Sequence, residues 1–282
     1  MTHEASAPIG DGLRARERTL VGGLQALPSL LVAYSGGVDS AYLAWVATRV
    51  LGARALCVTA ESPSYPERHR AMAVAIARDF GLQHEIIRTD ELASPDYRTN
   101  APDRCYHCKH ELYTRLTDLA RGRGVTAIAD GSNADDRGDY RPGRRAARQF
   151  GVISPLDAAG LTKADIRELS REAGLPTWDE PASACLSSRI PYFSEVTDAK
   201  LRVIEQAEES IRALGFRVVR VRHHDTIARI ELGRDEMARA LDPAVSGAID
   251  HALRALGFRY VTLDLKGYRL GSLNEGVPLQ PL

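Results

Sequence analysis

Short apolar runs alternate with longer helix-like segments through the first half of the chain, and this alternation restricts the fold more than any other feature. Strands that are joined through helices lie parallel, and helices then cover both faces of the sheet. We therefore predict an α/β fold with a doubly wound parallel sheet. The strand-like runs are residues 29–37, 53–62, 84–92 and 125–133.

The pattern changes after residue 197, where two helical segments and about three strand-like runs follow. This mixture predicts a smaller α+β C-terminal domain. We expect the boundary near residue 190, giving domains at residues 1–190 and 191–282. Before the boundary, Thr162 and Asp165 have the spacing of a helix N-cap. The predicted helices are residues 12–29, 38–52, 66–81, 107–124, 198–215 and 235–257.

Charge and hydropathy exclude several classes of protein. The 282 residues include 37 Lys and Arg and 37 Asp and Glu, so the formal net charge is zero. A neutral chain argues against nucleic acid as the partner. An apolar run of about 18 residues, as a transmembrane helix requires, is missing, and the N-terminus lacks the apolar core of a signal peptide. We expect a cytoplasmic protein that does not bind membranes.

The sequence Ser35-Gly36-Gly37-Val38-Asp39-Ser40 follows the first strand-like run and opens a helix. Glycines let the backbone turn tightly, and amide groups at a helix N-terminus attract phosphate. The serine hydroxyls add donors, whereas the Asp39 carboxylate holds Mg²⁺ or caps the helix. This is not a Walker loop, because the GxxxxGK[ST] pattern is missing. The alternative for the glycines alone is an ordinary turn, but the whole motif predicts an ATP site.

Two other polar segments follow predicted strands, where ligands bind in open α/β sheets. Glu61 lies in the segment at residues 59–62, and Asp135 and Asp136 lie in the segment at residues 130–136. These side chains are candidates for contacts with adenine, ribose or Mg²⁺. Ordinary turns with Asx caps are an equally good interpretation of each.

Three of the four cysteines lie in polar segments. Cys105 and Cys108 form a CxxC motif placed just before a predicted helix, a position that should lower their thiol pKa values. The motif alone is compatible with a zinc half-site, a redox pair or part of an iron–sulfur site. With Cys185, a [4Fe–4S] cluster on three thiolates is favoured, although Cys185 is alternatively an inert loop cysteine. Cys57 lies in an apolar run and is predicted to be a buried strand thiol.

Basic residues form two further candidates for phosphate binding. Arg220 and Arg222 lie on one face of a predicted strand, because side chains alternate between faces. Two guanidiniums there can grip a phosphate, whereas a solvated edge of the strand is the alternative. Residues 141–145 read as a mobile basic loop that is able to close over pyrophosphate.

The SGGVDS motif resembles the PP-loop of the ATP pyrophosphatases, which cleave ATP between the α and β phosphates. RCYHCK, DGSNADD, PASACLSSRIPY and VRVRHHDTIARIEL, taken with it, resemble the LarE family over residues 35 to about 231. The resemblance implies a doubly wound α/β fold and an ATP-dependent sulfur transferase. Such enzymes adenylate pyridinium-3,5-biscarboxylic acid mononucleotide and form the thiocarboxylates of the nickel-pincer nucleotide.

The resemblance also implies roles for individual residues. A single cysteine matching Cys185 gives up its own sulfur in one group of LarE enzymes, whereas three cysteines bind a [4Fe–4S] cluster in the other. Cys105, Cys108 and Cys185 match the second group. We also expect a sulfide or sulfur donor and a homo-oligomer. The substrate-binding residues implied by the resemblance are Ser188, Arg189, Glu208, Arg220 and Arg222.

Three other functions remain open at this stage. A tRNA thiolase uses the same chemistry but needs a basic surface, which the neutral chain disfavours. An amidotransferase-type synthetase needs an ammonia source, and a glutaminase domain does not fit this length. A non-catalytic iron–sulfur or zinc carrier would bind metal without turning over ATP.

Overall fold

The computed structural model describes residues 10–138, 142–181 and 184–269, which form two sheets with helices packed against them. The helices are α1 (Asp11–Gln25), α2 (Val38–Leu51), α3 (Glu67–Asp79), α4 (Pro95–Arg98), α5 (Arg104–Arg123), α6 (Gly143–Gln149), α7 (Pro155–Ala158), α8 (Lys163–Glu172), α9 (Asp198–Ala213), α10 (Met237–Ala240) and α11 (Pro243–Ala255). The strands are β1 (Leu30–Ala33), β2 (Ala55–Glu61), β3 (His84–Arg88), β4 (Ala127–Ala129), β5 (Val219–His224), β6 (Ile227–Leu232) and β7 (Tyr260–Leu263).

The first sheet is parallel, with strand order β3-β2-β1-β4. Side chains of β1 alternate between its faces, so Leu30 and Val32 pack with α1, α2, α3 and α8, whereas Leu31 packs with α5 and α6. Leu31 lies opposite Leu56 of β2 and Ile128 of β4. The predicted doubly wound α/β fold is therefore confirmed.

The second sheet has three strands in the order β5-β6-β7, with α9 and α11 packed against it. Strands β5 and β6 form an antiparallel hairpin, and β7 adds parallel to β6. The predicted α+β arrangement is confirmed. The predicted helix at residues 235–257 is wrong as a single helix: it is interrupted before Pro243, because proline has no backbone N–H for the preceding turn.

A small apolar cluster joins the two halves of the chain across the domain boundary that we propose near residue 190. It contains Tyr97 from α4, Leu186 and Ile190 from the following loop, and Leu201 and Ile204 from α9. The segment before α9 thereby packs against α4 and α9. In the described ranges, none of the helices is both long enough and apolar enough to span a bilayer.

Candidate active site

The loop between β1 and α2 is held in a tight turn by its own side chains. The Ser35 amide donates to Ser40 Oγ at 3.2 Å, and Ser40 Oγ donates to the Gly37 carbonyl at 3.1 Å. Gly36 has φ +67°, and a Cβ atom there would lie 2.8 Å from the Cβ of Ala73 in α3. Only glycine satisfies both conditions. Because α2 begins just after Gly37, its first amides are oriented to receive an anion.

The Asp39 carboxylate lies where three segments meet. It forms an ion pair with Lys163 Nζ at the start of α8, and Asn133 Nδ2 donates to its Oδ1 at 3.3 Å. Its interpretation as a helix cap is wrong, because Gly37 occupies the cap position and Asp39 lies inside the first turn. The ammonium of Lys163 is thereby placed beside the phosphate-binding turn.

The acidic pair after β4 divides into two different roles. Asp135 is exposed, and its Oδ2 accepts a hydrogen bond from the Lys163 amide at 2.9 Å. Asp136 is buried, and its Oδ2 accepts from the Asn133 amide at 3.0 Å, so it closes the turn. Asp135 is therefore the member of the pair that can reach a ligand.

Glu61 is the last residue of β2 and is partly exposed. It lines an open cleft of about 350 Å³ together with Tyr65 and Arg88. The Tyr65 hydroxyl donates to the Ser35 carbonyl at 2.9 Å, so the cleft adjoins the phosphate-binding turn. The prediction that Glu61 lies at the ligand edge of the sheet agrees with this placement.

Sequence reasoning missed three residues of this region. Lys163 and Asn133 contact Asp39, and a Cβ atom on Gly131 would lie 3.0 Å from the Ser40 amide nitrogen. Gly131 and Asn133 were part of a segment identified at a strand end. Lys163 carried a weaker signal: it follows the predicted cap Thr162, whose capping box with Asp165 is confirmed.

Helix α5 begins at Arg104, three residues earlier than predicted, so the CxxC motif lies inside the helix rather than before it. The Arg104 side chain is buried, and its Nη1 donates to the carbonyl of Ser187 in a distant loop. Cys105 and Cys108 are three residues apart and therefore project from neighbouring positions on one side of α5. Cys105 is exposed and Cys108 is partly buried.

The loop that carries Cys185 is tied to the same region by three hydrogen bonds. The Leu186 amide donates to the Ser64 carbonyl at 2.8 Å, and Tyr97 and Ser187 share a hydrogen bond of 2.5 Å between hydroxyls. Arg104 Nη1 donates to the Ser187 carbonyl at 3.0 Å. The tertiary structure thus brings Cys185 next to the start of α5. Ala182 and Ser183, part of the predicted PASACLSSRIPY motif, lie outside the described residues.

The environment of the thiols contradicts the predicted lowering of their pKa values. Burial raises the pKa of Cys108, and interactions with Glu91 and Cys185 raise it further. Desolvation also raises the pKa of Cys105, against the lowering effect of Arg104, and Cys185 adds to the rise. At Cys108, which is partly buried, desolvation outweighs the helix N-terminus and the nearby cation of Lys109. The case is weaker at Cys105, because its surface is exposed. The three sulfurs nevertheless lie within electrostatic range of one another.

The structure does not bear out a metal site at the cysteines. Within the three described ranges, the His, Cys, Asp and Glu side chains do not form a group of three or more placed to hold a metal ion. Cys105, Cys108 and Cys185 are close enough to interact electrostatically. Cys57, in contrast, is fully buried in β2, and burial raises its pKa to about 12, which confirms the prediction of a buried strand thiol.

Arginines and glutamates pair beneath the Cys185 loop. Arg189 is 1% exposed, and its Nε and Nη2 donate to the two Glu208 oxygens at 2.8 and 3.0 Å. Its Nη1 donates to the Cys185 carbonyl at 2.9 Å, so the pair supports the backbone of the loop. Arg222 pairs in the same bidentate way with Glu231 and donates to the Ser188 carbonyl at 2.7 Å.

Several guanidiniums surround Glu208. Burial alone would raise the pKa of Glu208, but Arg189, Arg220 and Arg212 lower it to about 2. Burial and the charge of Arg189 lower the pKa of Arg220 to about 10. Three guanidiniums thus act on the Glu208 carboxylate, and Arg212 also lies 3.6 Å from Glu209. The alternative of a solvated strand face is wrong for Arg220 and Arg222, because both side chains are buried.

Arg189, Arg212, Arg220 and Arg222 form an arginine cluster. This cluster also lies close to the phosphate-binding turn. Burial, followed by the charges of Arg68, Arg189 and Arg220, lowers the pKa of His69 in α3 to about 4. Helix α3 is the element that packs against Gly36. The prediction of a basic loop at residues 141–145 is wrong for residues 143–145, which form the first turn of α6. Arg144 pairs with Asp157, and the exposed Arg145 stacks on the Tyr106 ring. Arg141 lies outside the described residues.

Comparison with known proteins identifies the family. No family model matches the chain. An uncharacterized protein of Synechocystis is 44% identical over 88% of this chain and 93% of its own length. The pyridinium-3,5-bisthiocarboxylic acid mononucleotide synthase of Lactiplantibacillus plantarum is 38% identical over 93% of this chain and 95% of its own length. The chain belongs to the LarE family.

Membership agrees with the loop chemistry described above. LarE enzymes are ATP-dependent sulfur transferases, and this chain is an enzyme of that class. A tRNA(Ile)-lysidine synthase of Bradyrhizobium is 27% identical over 58% of this chain and 49% of its own length. This more distant match supports the PP-loop superfamily and hence the use of ATP.

Proposed function

We propose that this LarE enzyme adenylates the carboxylates of pyridinium-3,5-biscarboxylic acid mononucleotide and converts them to thiocarboxylates. The observation that carries the proposal is the position of the Cys185 loop. Its Leu186 amide bonds to the Ser64 carbonyl just beyond β2, and its Ser188 carbonyl accepts from Arg222 in the arginine cluster. The loop therefore lies between the ATP edge of the sheet and a site suited to phosphate.

The first half-reaction takes place at the edge of the first sheet that carries the phosphate-binding turn. The amides at the start of α2 and the Lys163 ammonium bind the polyphosphate, while Asp39 and Asp135 are the carboxylates that would hold Mg²⁺. An oxygen of the substrate carboxylate attacks the α-phosphorus, and pyrophosphate leaves with the electron pair of the broken bond. The protein positions the reactants and neutralises phosphate charge.

The substrate phosphate is proposed to bind at the arginine cluster. Arg220 and Ser188 contact it, while Glu208 and the bidentate pairs of Arg189 and Arg222 fix the positions of the donors. Glu208 is surrounded by guanidiniums, so its proposed role is to hold them in position. The concentration of guanidiniums around Glu208 supports binding of a dianionic phosphate monoester.

The second half-reaction delivers sulfur. A sulfide attacks the carbonyl carbon of the acyl adenylate, and AMP leaves with the electron pair of the acyl–oxygen bond. Cys105, Cys108 and Cys185 would hold a [4Fe–4S] cluster, which supplies an open iron site for the transferred sulfide. The alternative is that Cys185 gives up its own sulfur and becomes dehydroalanine.

The test follows pyrophosphate, product mass and protein mass in anaerobic protein with ATP and the pyridinium substrate. We expect substrate-dependent pyrophosphate release and the exchange of a carboxylate oxygen for sulfur. Cys185→Ala should stop sulfur transfer and leave pyrophosphate release unchanged. Cys57 is a buried thiol without a proposed role, so Cys57→Ala should change neither. If the wild-type protein releases no pyrophosphate with this substrate, the proposal is wrong.

Iron analysis separates the two sulfur sources. A cluster held by three thiolates predicts about four iron atoms per chain, lost in Cys105→Ala and Cys108→Ala. A sacrificial cysteine predicts no iron and a loss of roughly one H₂S from the protein mass after turnover. The first result supports the cluster, and the second supports donation by Cys185.

Two further parts of the proposal concern partners. We propose a small-molecule sulfur donor and no nucleic acid, and a gel shift with bulk tRNA should show no complex. A tRNA complex together with thiolated tRNA would instead favour the tRNA thiolase. We also propose a homo-oligomer, which light scattering on the purified protein tests directly.

A further inference from the structure

Tyr268 follows the last strand of the second sheet and lies against the arginine cluster. The Cζ atom of Arg220 lies over the Tyr268 ring, 5.2 Å from its centroid. Tyr268 is half-buried, and Arg220 is 7% exposed. A cation above an aromatic ring is attracted by the negative charge of the ring face, and desolvation strengthens that attraction. Tyr268 therefore belongs to the surroundings of the proposed phosphate site.

The turn after β7 brings the Tyr268 ring to this position. The Tyr268 amide donates to the Leu232 carbonyl at 2.7 Å. Gly267 has φ +67°, and a Cβ atom there would lie 2.9 Å from the Leu232 carbonyl oxygen, so the turn requires glycine. Leu232 lies opposite Val219 in the hairpin of β5 and β6. A residue bonded to Leu232 thus comes close to Arg220, which follows Val219 in β5.

The Asp264 side chain holds the same turn to β6. Its Oδ1 accepts a hydrogen bond from the Lys266 amide at 2.8 Å, and its Oδ2 forms an ion pair with Arg229 of β6. The Gly267 amide also donates to the Asp264 carbonyl at 2.9 Å. Backbone and side-chain contacts together therefore fix the turn, and the turn fixes the ring of Tyr268.

The contact of Arg220 with Tyr268 differs in charge from the contact that holds Arg189. Arg189 forms a bidentate ion pair with Glu208, and that carboxylate carries a negative charge that repels a phosphate. The Tyr268 ring restrains Arg220 without adding a further negative charge. A guanidinium in contact with a ring is held through its face, whereas its N–H groups lie at its edge. The ring contact is thus compatible with donation to a phosphate.

We propose that Tyr268 is a positioning residue for the substrate phosphate, because its ring holds the Arg220 guanidinium where the N–H groups meet the phosphate oxygens. This inference rests on the proposed function, in which the phosphate of the pyridinium mononucleotide binds at the arginine cluster. Restraint of the guanidinium before binding reduces the conformational entropy that is lost when the phosphate binds. Tyr268 thereby raises the affinity for the mononucleotide over the corresponding nucleoside.

The experiment compares binding of the pyridinium mononucleotide and of its nucleoside, which lacks the phosphate, to full-length protein without ATP by isothermal titration calorimetry. Tyr268→Leu removes the ring and should weaken mononucleotide binding by about tenfold, while nucleoside binding stays the same. Tyr268→Phe keeps the ring and should bind the mononucleotide within about twofold of wild type. Equal weakening for the two ligands, or unchanged mononucleotide binding by Tyr268→Leu, would overturn the inference.

Tyr260→Leu is the matched control. The Cζ atom of Arg259 lies 5.6 Å from the centroid of the Tyr260 ring, and Tyr260 is 52% exposed. This pair has the same chemistry as Arg220 and Tyr268 but is not part of the arginine cluster, so Tyr260→Leu should change neither affinity. In protein that already carries Arg220→Met, Tyr268→Leu should cause no further loss, because the ring acts through Arg220. A further tenfold loss there would refute that role.

Ring-fluorinated phenylalanines at position 268 separate ring charge from packing and cover the case in which Tyr268→Leu does not fold. Fluorine atoms withdraw electron density from the ring face while the shape of the side chain is nearly retained. Mononucleotide affinity should fall stepwise from Tyr268→Phe to the trifluorinated variant, and nucleoside affinity should stay constant. A mononucleotide affinity that is the same throughout the series would contradict the proposed contact.

Failure of this inference is distinguishable from failure of the proposed function. Binding is measured without ATP, whereas pyrophosphate release by the wild-type protein tests adenylation. If the wild-type protein binds the mononucleotide no more tightly than the nucleoside, the inference is wrong even when pyrophosphate is released. A preference for the mononucleotide that depends on Tyr268, in a protein that releases no pyrophosphate, would support the inference and reject the adenylation.

Discussion

Replacing Glu208 by glutamine should destabilise the protein in a way that depends on pH. Glu208 is 1% exposed and accepts hydrogen bonds from Arg189, from Arg212 and from the Val221 amide. Its pKa falls from an ordinary value of 4.5 to about 2, because the arginines overcome the effect of burial. A pKa difference of about 2.5, at about 1.36 kcal/mol for each pH unit, corresponds to about 3 kcal/mol.

The sign follows from the direction of the shift. A carboxyl whose pKa is lower in the folded state adds stability that is complete above its unfolded pKa. That contribution is lost as the pH falls from about 4.5 towards about 2. Glu208→Gln should therefore lower the free energy of unfolding by about 3 kcal/mol at pH 7, and the difference from wild type should shrink below pH 4.5.

Urea denaturation at several pH values measures this difference. The matched control is Glu209→Gln, since Glu209 is the next residue, is largely exposed and lies 3.6 Å from Arg212. We expect the control to change stability by less than about 1 kcal/mol. Equal effects of the two substitutions at pH 7, or a Glu208→Gln effect that does not vary with pH, would refute the reasoning.

Three other predictions follow from single contacts. Phe193 is 74% exposed and has φ +64°. Phe193→Gly should therefore raise the free energy of unfolding, measured by urea denaturation, by roughly 0.5–1 kcal/mol. Leu265→Gly, at an exposed position without positive φ, should lower it. Thr162→Ala should cost about 1 kcal/mol by removing the cap of α8, and Thr162→Ser should recover most of it. Lys163→Met and Asp39→Asn should each slow pyrophosphate release by about 100-fold. Lys266→Met, at an exposed position, is the control and should not slow it. If Lys163→Met and Asp39→Asn leave the rate unchanged, Lys163 and Asp39 do not belong to the ATP site.

Local patterns in the sequence were sufficient to predict the helices and strands of the fold. Apolar runs with period two and helical segments with their punctuation lie close together in the chain, so the four parallel strands and the cap at Thr162 were predictable. The helix limits were less well determined. Arg104 extends α5 through contacts with a distant loop, and such contacts leave no periodic signal.

The sequence by itself determined the parallel sheet, the phosphate-binding turn at its edge and the three cysteines as chemically interesting residues. Only the tertiary structure decided that Lys163 faces Asp39, that Glu208 holds the arginines and that Cys108 has a raised pKa. The reason is that strand and turn formation depends on neighbouring residues, whereas ion pairs and desolvation depend on which distant segments pack together.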